Sequence, residues 1–237
     1  MKTNKLLFGG IVLLAALSVP AQGTFRNLNF EAATIPATPV GGFTYPADPL
    51  LAFPGWTVGG SGTVVAYNTV SLGAPAVCLM GPNFPNSAGY TPLQGSYSVL
   101  LQYFGSAGGP PTLSQIGLVP FGVRSISFQV PSGQSTNYST ATEVSLNGVS
   151  IPLVPIADNR VAGDVSDFAG ITAQLTFSTI NAPDFLYFDD IQFSQSTIPE
   201  PSSLALLGVG GSCVLLHRRR SQSSSSWKSI SPTPSQN

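Results

Sequence analysis

From residue 24 to residue 197 apolar and polar positions alternate in short bursts, and no stretch keeps the spacing of a long helix. Leu28 and Phe30 alternate with Asn27, Asn29 and Glu31, the period of a half-buried strand. Residues 32–54 are rich in Pro, Ala and Gly and read as a long surface loop. Phe53–Val58 reads as a turn feeding a strand, and Thr63–Tyr67 and Ala76–Met80 are further strands. Asn83–Pro92 is another loop, and the β-formers packed into Gly95–Phe104 predict a buried strand. After a Gly/Pro break at Gly105–Pro111 come Leu113–Leu118 and Val123–Val130, the latter with Ile126, Phe128 and Val130 facing inward. Thr142–Leu146, Asn147-Gly148 and Val149–Val154 predict a hairpin, because Asn-Gly suits a type I′ turn that needs positive φ twice. Asp164–Gly170 predicts one helical turn, capped by Asp164 and ended by Gly170. Ile171–Ser178 and Phe185–Ser194 complete the strands, and this spacing means an all-β sandwich or barrel.

The two ends follow other rules. Met1–Ala21 places Lys2 and Lys5 before the apolar Leu6–Leu17 and a small-residue end, Ser18–Ala21, which is the order of a secretory signal peptide; residues 1–23 are assigned to it. An uncleaved anchor is the alternative, and either way the body is exported. No Cys sits at the cleavage point, which argues against a lipoprotein. At the other end, Pro199 and Pro201 flank Glu200 and cannot continue a strand. Leu204–Leu216 is uncharged and apolar, and Arg218, Arg219 and Arg220 stop it on what would be the cytoplasmic side. At ~1.5 Å per residue such a transmembrane helix reaches only ~20 Å, short of the ~30 Å hydrocarbon core. It reads as a processing signal more than as a durable anchor.

Pro-Glu-Pro, a short apolar helix and a basic cluster, in that order, resemble the bacterial PEP-CTERM sorting signal, over residues 198–220. The resemblance implies an exosortase-type membrane enzyme as partner and cleavage near Pro199-Glu200-Pro201. The chain departs from the pattern by continuing through Ser221–Asn237, a polar tail expected to be disordered.

Composition narrows the body further. With 8% charged residues, 25 Gly and 21 Pro, the 237-residue chain does not suit a helical bundle, while 43% hydrophobic residues suffice for a core. Of the ten acidic residues only Glu200 lies outside residues 24–197, where Arg26, Arg124 and Arg160 are the sole cations. That mildly acidic body excludes a nucleic-acid face. Cys213 lies in the C-terminal apolar run, so Cys78 is the only thiol of the body and reads as a small buried hydrophobe.

Four places resemble the jelly-roll sandwiches of carbohydrate-binding modules: Asn27–Glu31, Gly55-Trp56, Asp164–Phe177 and Tyr187–Ile191. The resemblance implies a jelly-roll-like β-sandwich over residues 24–197, with its first and last strands close together. It also implies a structural calcium ion held by Glu31 with Asp189 or Asp190. Extracellular polysaccharide is the partner such a module would take, through an exposed aromatic platform. Trp56, Tyr67, Tyr90, Tyr97 and Tyr103 qualify by residue type, Trp56 being more often core in such sandwiches and Tyr90 the better exposed candidate; no ligand-binding residue is assigned.

Catalytic chemistry is largely missing. His217 is the only histidine and lies beside the arginines, so the body has no base for a Ser-His-Asp or Cys-His system and no imidazole for zinc. Carboxylates remain, Asp164 with Asp167, Asp189 with Asp190, and isolated Glu31, Glu143, Asp158 and Asp184. A glycosidase needs two of them across a cleft; Asp189 and Asp190, adjacent on a strand, point opposite ways. The expectation is an exported, non-catalytic surface or matrix protein.

Overall fold

The computed structural model describes residues 24–35, 47–69, 73–82, 91–105, 108–180 and 184–198. In chain order its elements are α1 (Pro49–Ala52), β1 (Thr57–Gly59), β2 (Val64–Tyr67), β3 (Ala76–Met80), β4 (Ser98–Tyr103), β5 (Thr112–Leu118), β6 (Ser125–Gln129), α2 (Ser135–Ala141), β7 (Thr142–Leu146), β8 (Val149–Ser150), β9 (Leu153–Ile156), β10 (Arg160–Asp164), β11 (Thr172–Thr179) and β12 (Asp184–Ser194). They form an all-β sandwich of a five-stranded sheet, β1-β5-β11-β7-β8, and a seven-stranded sheet, β2-β3-β4-β12-β6-β10-β9. Pairing is antiparallel except between β2 and β3.

Aromatic side chains join the sheets. Phe177 of β11 stacks on Phe188 of β12 with ring centroids 4.7 Å apart and 11° between planes. Phe128 meets Phe177 edge-on at 5.3 Å, and Trp56 does so at 6.4 Å. These rings are buried, and offset or edge contacts of this kind add to what area burial supplies.

The expected strand at Asn27–Glu31 is instead a pair of tight turns. Leu28 and Phe30 are buried as their alternation predicts, but Asn27 (φ 50°) and Phe30 (φ 57°) take left-handed backbone. Asn27 makes this tolerable: its carbonyl accepts from Trp56 Nε1 (3.0 Å), its Oδ1 from Ala32 N (2.9 Å), and its Nδ2 donates to Pro54 O (3.2 Å). The expected closeness of the opening and closing segments is present. Ile191 N donates to Leu28 O at 2.9 Å, and Phe30 packs edge-on against Phe188 at 5.7 Å. A bulge between Asp189 and Gln192 turns β12 out of its pairing with β6 and frees Ile191 for that contact.

Other expectations sharpen or fail. Asn147 (φ 51°) and Gly148 (φ 76°) make the predicted type I′ turn. The strand beyond it does not run to Val154. It stops at Ser150, the chain crosses between sheets at Ile151-Pro152, and β9 resumes at the edge of the seven-stranded sheet. Pro152 has no N–H for a ladder, and Pro155 is tolerated because β9 is an edge strand. The predicted helical turn is a 3₁₀ turn over Ser166–Phe168 with Val165, not Asp164, at its cap position; Asp164 Oδ1 accepts from Ser166 N at 2.8 Å one residue earlier, and Gly170 (φ 77°) follows under the Phe121 ring. Part of the supposed surface loop is core: α1 is capped by Asp48, and Ala52 and Phe53 are buried. Helix α2 was not foreseen, because Ser, Thr and Asn favour turns over helices. No helix among the described residues is long and apolar enough to cross a membrane; the segments assigned to the signal peptide, the C-terminal helix and the tail lie outside them.

Candidate functional site

The carboxylates proposed for calcium do lie where the chain's opening and closing segments meet, but they hold protein donors. Glu31 Oε1 accepts from Ser96 N (2.8 Å) and Tyr97 N (3.0 Å). Asp189 Oδ2 accepts from Gln94 N (3.1 Å) and Ser98 Oγ (2.8 Å), and its Oδ1 from Asp190 N (2.6 Å). Asp190 turns away and pairs with Arg160 at 2.6 Å, while Gln192 Nε2 donates to the same oxygen. Calcium wants roughly six to eight oxygen ligands. Among the described residues no group of three or more His, Cys, Asp or Glu side chains gathers to hold a metal. The arrangement does not fit the ion: N–H and O–H donors occupy Glu31 Oε1 and both Asp189 oxygens, and a guanidinium already neutralises Asp190. Glu31 and Asp189 instead grip one turn, Gln94–Ser98, from two sides.

Asp189 is fully buried, and burial pushes its carboxyl up to about 7 against the pull of the Ser98, Asp190 and Gln94 hydrogen bonds. Burial likewise pushes the Cys78 thiol up to about 12, and Gln102 Nε2 donates to its sulfur at 3.1 Å. Cys78 is therefore the inert core thiol that was expected. At Asp164 the Ser166 N–H lowers the carboxyl below its ordinary value.

The turn gripped by Glu31 and Asp189 continues one wall of a cleft of about 510 Å³. That wall is Thr91–Leu93, fixed to the sheet where Tyr187 Oη donates to Thr91 O (2.6 Å), Gln129 Nε2 to Leu93 O (3.4 Å) and Leu93 N to Ser98 Oγ (2.8 Å). Gln134 and Tyr138 at α2, Asn159 from the β9–β10 turn, Gln129–Ser132 and the buried Tyr187 also line the cleft. Val130 N donates to Asn159 O at 2.9 Å and Gly133 N to Asn159 Oδ1 at 3.2 Å, tying the two turns together.

Of the aromatic candidates, Trp56 is core, as such sandwiches favour, with its Nε1 on Asn27 O; Tyr67 is buried too. Tyr97 and Tyr103 are half-buried, and Tyr90 lies outside the described residues. The cleft residues Gln129, Gln134, Tyr138 and Asn159 carry no signal in the sequence. They come from a strand end, an unforeseen helix and a hairpin turn, and only folding collects them.

Comparison with known proteins settles one feature. Residues 197–220 match the PEP-CTERM protein-sorting motif. The chain carries a PEP-CTERM sorting signal. Pro199, Glu200, Pro201, Arg218, Arg219 and Arg220 all fall inside the matched stretch, most of it beyond the described residues. A search of curated proteins finds no match. Among solved structures, TmCBM61, determined in complex with beta-1,4-galactotriose, is 17% identical, covers 74% of this chain and 100% of its own, and superposes with a TM-score of 0.38. The cleaved adhesin domain of Lys-gingipain is 15% identical over 59% of this chain and 90% of its own, with a TM-score of 0.36. The enzymatically active domain of bacteriophage CBA120 tailspike protein 4 is 18% identical over 60% of this chain and 19% of its own, with a TM-score of 0.34.

Proposed function

We propose that the protein is an exported, non-catalytic, jelly-roll-like sandwich that is sorted through its PEP-CTERM signal to the cell surface or extracellular matrix. The observation that carries this reading is the motif at residues 197–220, since such a motif implies export. In this reading residues 1–23 are removed as a signal peptide, and Leu204–Leu216 holds the chain in the membrane until an exosortase-type enzyme cleaves near Pro199-Glu200-Pro201. The absence of catalysis is supported by chemistry. Residues 24–197 contain no histidine, Asp190 is neutralised by Arg160, and Asp189 is enclosed by its donors. None of these is an acid–base pair facing a cleft.

The test is the intact mass of protein recovered from envelope and medium, with and without the sorting enzyme. A species lacking both residues 1–23 and the residues beyond about 201, seen only with the enzyme present, is the expected result. A species still ending at Asn237 in the presence of the enzyme sinks the sorting step. A second reading, a carbohydrate-binding module for extracellular polysaccharide, is favoured by the cleft beside α2, whose lining among the described residues is uncharged.

A further inference from the structure

The sandwich is entered and left at one end. Arg124 N donates to Ser194 O (2.8 Å) and Ser125 Oγ to Ser196 O (2.9 Å), so the chain beyond β12 departs beside the β5–β6 loop. Thr24 N donates to Leu118 O (3.2 Å) and brings the N-terminal side to the same loop. At this end Phe121 is 74% exposed, and no other aromatic side chain among the described residues is exposed. Ile171, 43% exposed, lies beside it, because Gly170 N donates to Val119 O (3.0 Å) and Val119 N to Ile171 O (2.9 Å). The ring is seated on backbone: a Cβ on Gly170 would come within 2.6 Å of Phe121 Cε1, so glycine leaves the room it needs. Turns favour Gly, Asn, Asp and Ser, yet a lone apolar side chain on a surface is ordinary. What singles Phe121 out is the chain that follows.

Only residues 199–203 separate Ile198 from the uncharged run Leu204–Leu216. Even fully extended, that connection reaches only roughly 20 Å. While Leu204–Leu216 sits in the bilayer, the end bearing Phe121 is therefore kept close to lipid, at high effective concentration. We propose that Phe121 and Ile171 rest in the interfacial layer of that bilayer before the chain is cut. The proposal rests on the membrane-anchored stage of the sorting reading and adds a contact which that reading does not contain. The charges at this end favour an apolar contact over a headgroup one. Arg124 is exposed, but so are Asp164 and Asp167 in the neighbouring turn, so an anionic surface gains nothing here. An aromatic and a branched aliphatic side chain suit the boundary between headgroups and acyl chains. Two such side chains are too little to hold the body on lipid unaided, so cleavage near Pro199-Glu200-Pro201 removes the tether and the contact with it.

The test uses the full chain reconstituted in phosphatidylcholine vesicles without the sorting enzyme. Trp227→Phe removes the tail indole, and Phe121→Trp then reports the depth of position 121, with the buried Trp56 as a constant background. Expected is blue-shifted emission that loses most of its intensity to acyl chains brominated near the headgroup. The same reporter placed by Ile180→Trp, at the far end of β11, should stay unquenched, and adding phosphatidylglycerol should change neither result. Hydrogen exchange should show vesicle-dependent protection at residues 119–124 and 168–171, lost when Phe121→Ser and Ile171→Ser are combined. Neither side chain is buried, so the body keeps its fold in that variant. An unquenched indole at position 121, quenching only with phosphatidylglycerol, or protection that needs the sorting enzyme or rises with protein density each overturns the proposal. The last two would assign the patch to the enzyme or to a second copy. Intact mass judges the sorting reading separately: a correctly processed chain with an unquenched position 121 loses this contact alone, and a chain that does not float with the vesicles loses the anchored stage and the contact together.

Discussion

The two sheets of the sandwich draw on similar residues but are covered differently. On β11 of the five-stranded sheet, Ala173, Leu175 and Phe177 are buried while Thr172 and Gln174 face solvent. Ile116, paired with Gln174 on the same outer face, is 71% exposed. In the seven-stranded sheet, β3 is buried at every position, and Leu100 of β4 is as buried as its neighbours Val99 and Leu101. Its outer face carries a second small core, where Cys78, Met80, Leu100 and Tyr187 meet Leu93 and Tyr138. A sheet with one wet face shows alternation, and a sheet covered on both faces reads as a continuous apolar run. A cleft forms only where such a cover is incomplete, and here it lies between the Thr91–Leu93 wall and α2.

The strongest way to break this comparison is at the shared core. Phe188→Ala is expected to cost about 3–5 kcal/mol, whereas Ile116→Ala on the wet face should stay within about 0.5 kcal/mol. Urea midpoints of the two variants measure the contrast, and equal losses would sink it. Next comes the cover of the seven-stranded sheet. Asp189→Ala strands the Gln94 and Ser98 donors and is expected to cost about 1–3 kcal/mol.

Asp189 also sets a pH dependence. Its carboxyl lies at about 7 in the folded protein against 3.8 as its ordinary value, so the folded state holds the proton more tightly. Its contribution is fully present below about pH 4 and is lost as pH rises to about 7. The slope it adds is at most about 1.4 kcal/mol per pH unit in that window. Chemical denaturation from pH 4 to 8 should show this slope in the native protein and not in Asp189→Asn; the same slope in both would remove Asp189 as its source.

Smaller effects sharpen the picture. Gly148→Ala places a Cβ on left-handed backbone (φ 76°) in the β7–β8 turn and is expected to lower stability by about 1 kcal/mol. Smallest of all is the effect of calcium. Because Glu31, Asp189 and Asp190 already hold protein donors, adding calcium or a chelator is expected to move Tm by less than about 1 °C, and a calcium-dependent rise of several degrees would contradict the assignment.

Strands were legible wherever period and turn chemistry agreed. Ala76–Met80 and Thr142–Leu146 coincide with β3 and β7, and Asn147-Gly148 makes its predicted turn. The opening segment misled because alternating burial at Leu28 and Phe30 arises as well from paired turns as from a strand, and Asn27 supplies the polar atoms that let those turns form. The sorting signal was legible because its parts are contiguous, all within residues 197–220.

The sequence by itself therefore determined the all-β class, most strand positions, the sorting signal and the lack of a histidine base in the body, since each depends on local pattern or residue inventory. Only the tertiary structure decided how the carboxylates are used and where a cleft opens. Glu31 and Asp189 each accept hydrogen bonds from Gln94–Ser98, a segment far from both in the chain, and nothing in the local pattern around either acid announces that partner. Tyr138, Asn159 and Tyr187 line one cleft only because a bulged closing strand, an edge hairpin and a seven-residue helix come together there. Proximity of that kind is fixed by long-range packing, which leaves no periodic trace along the chain.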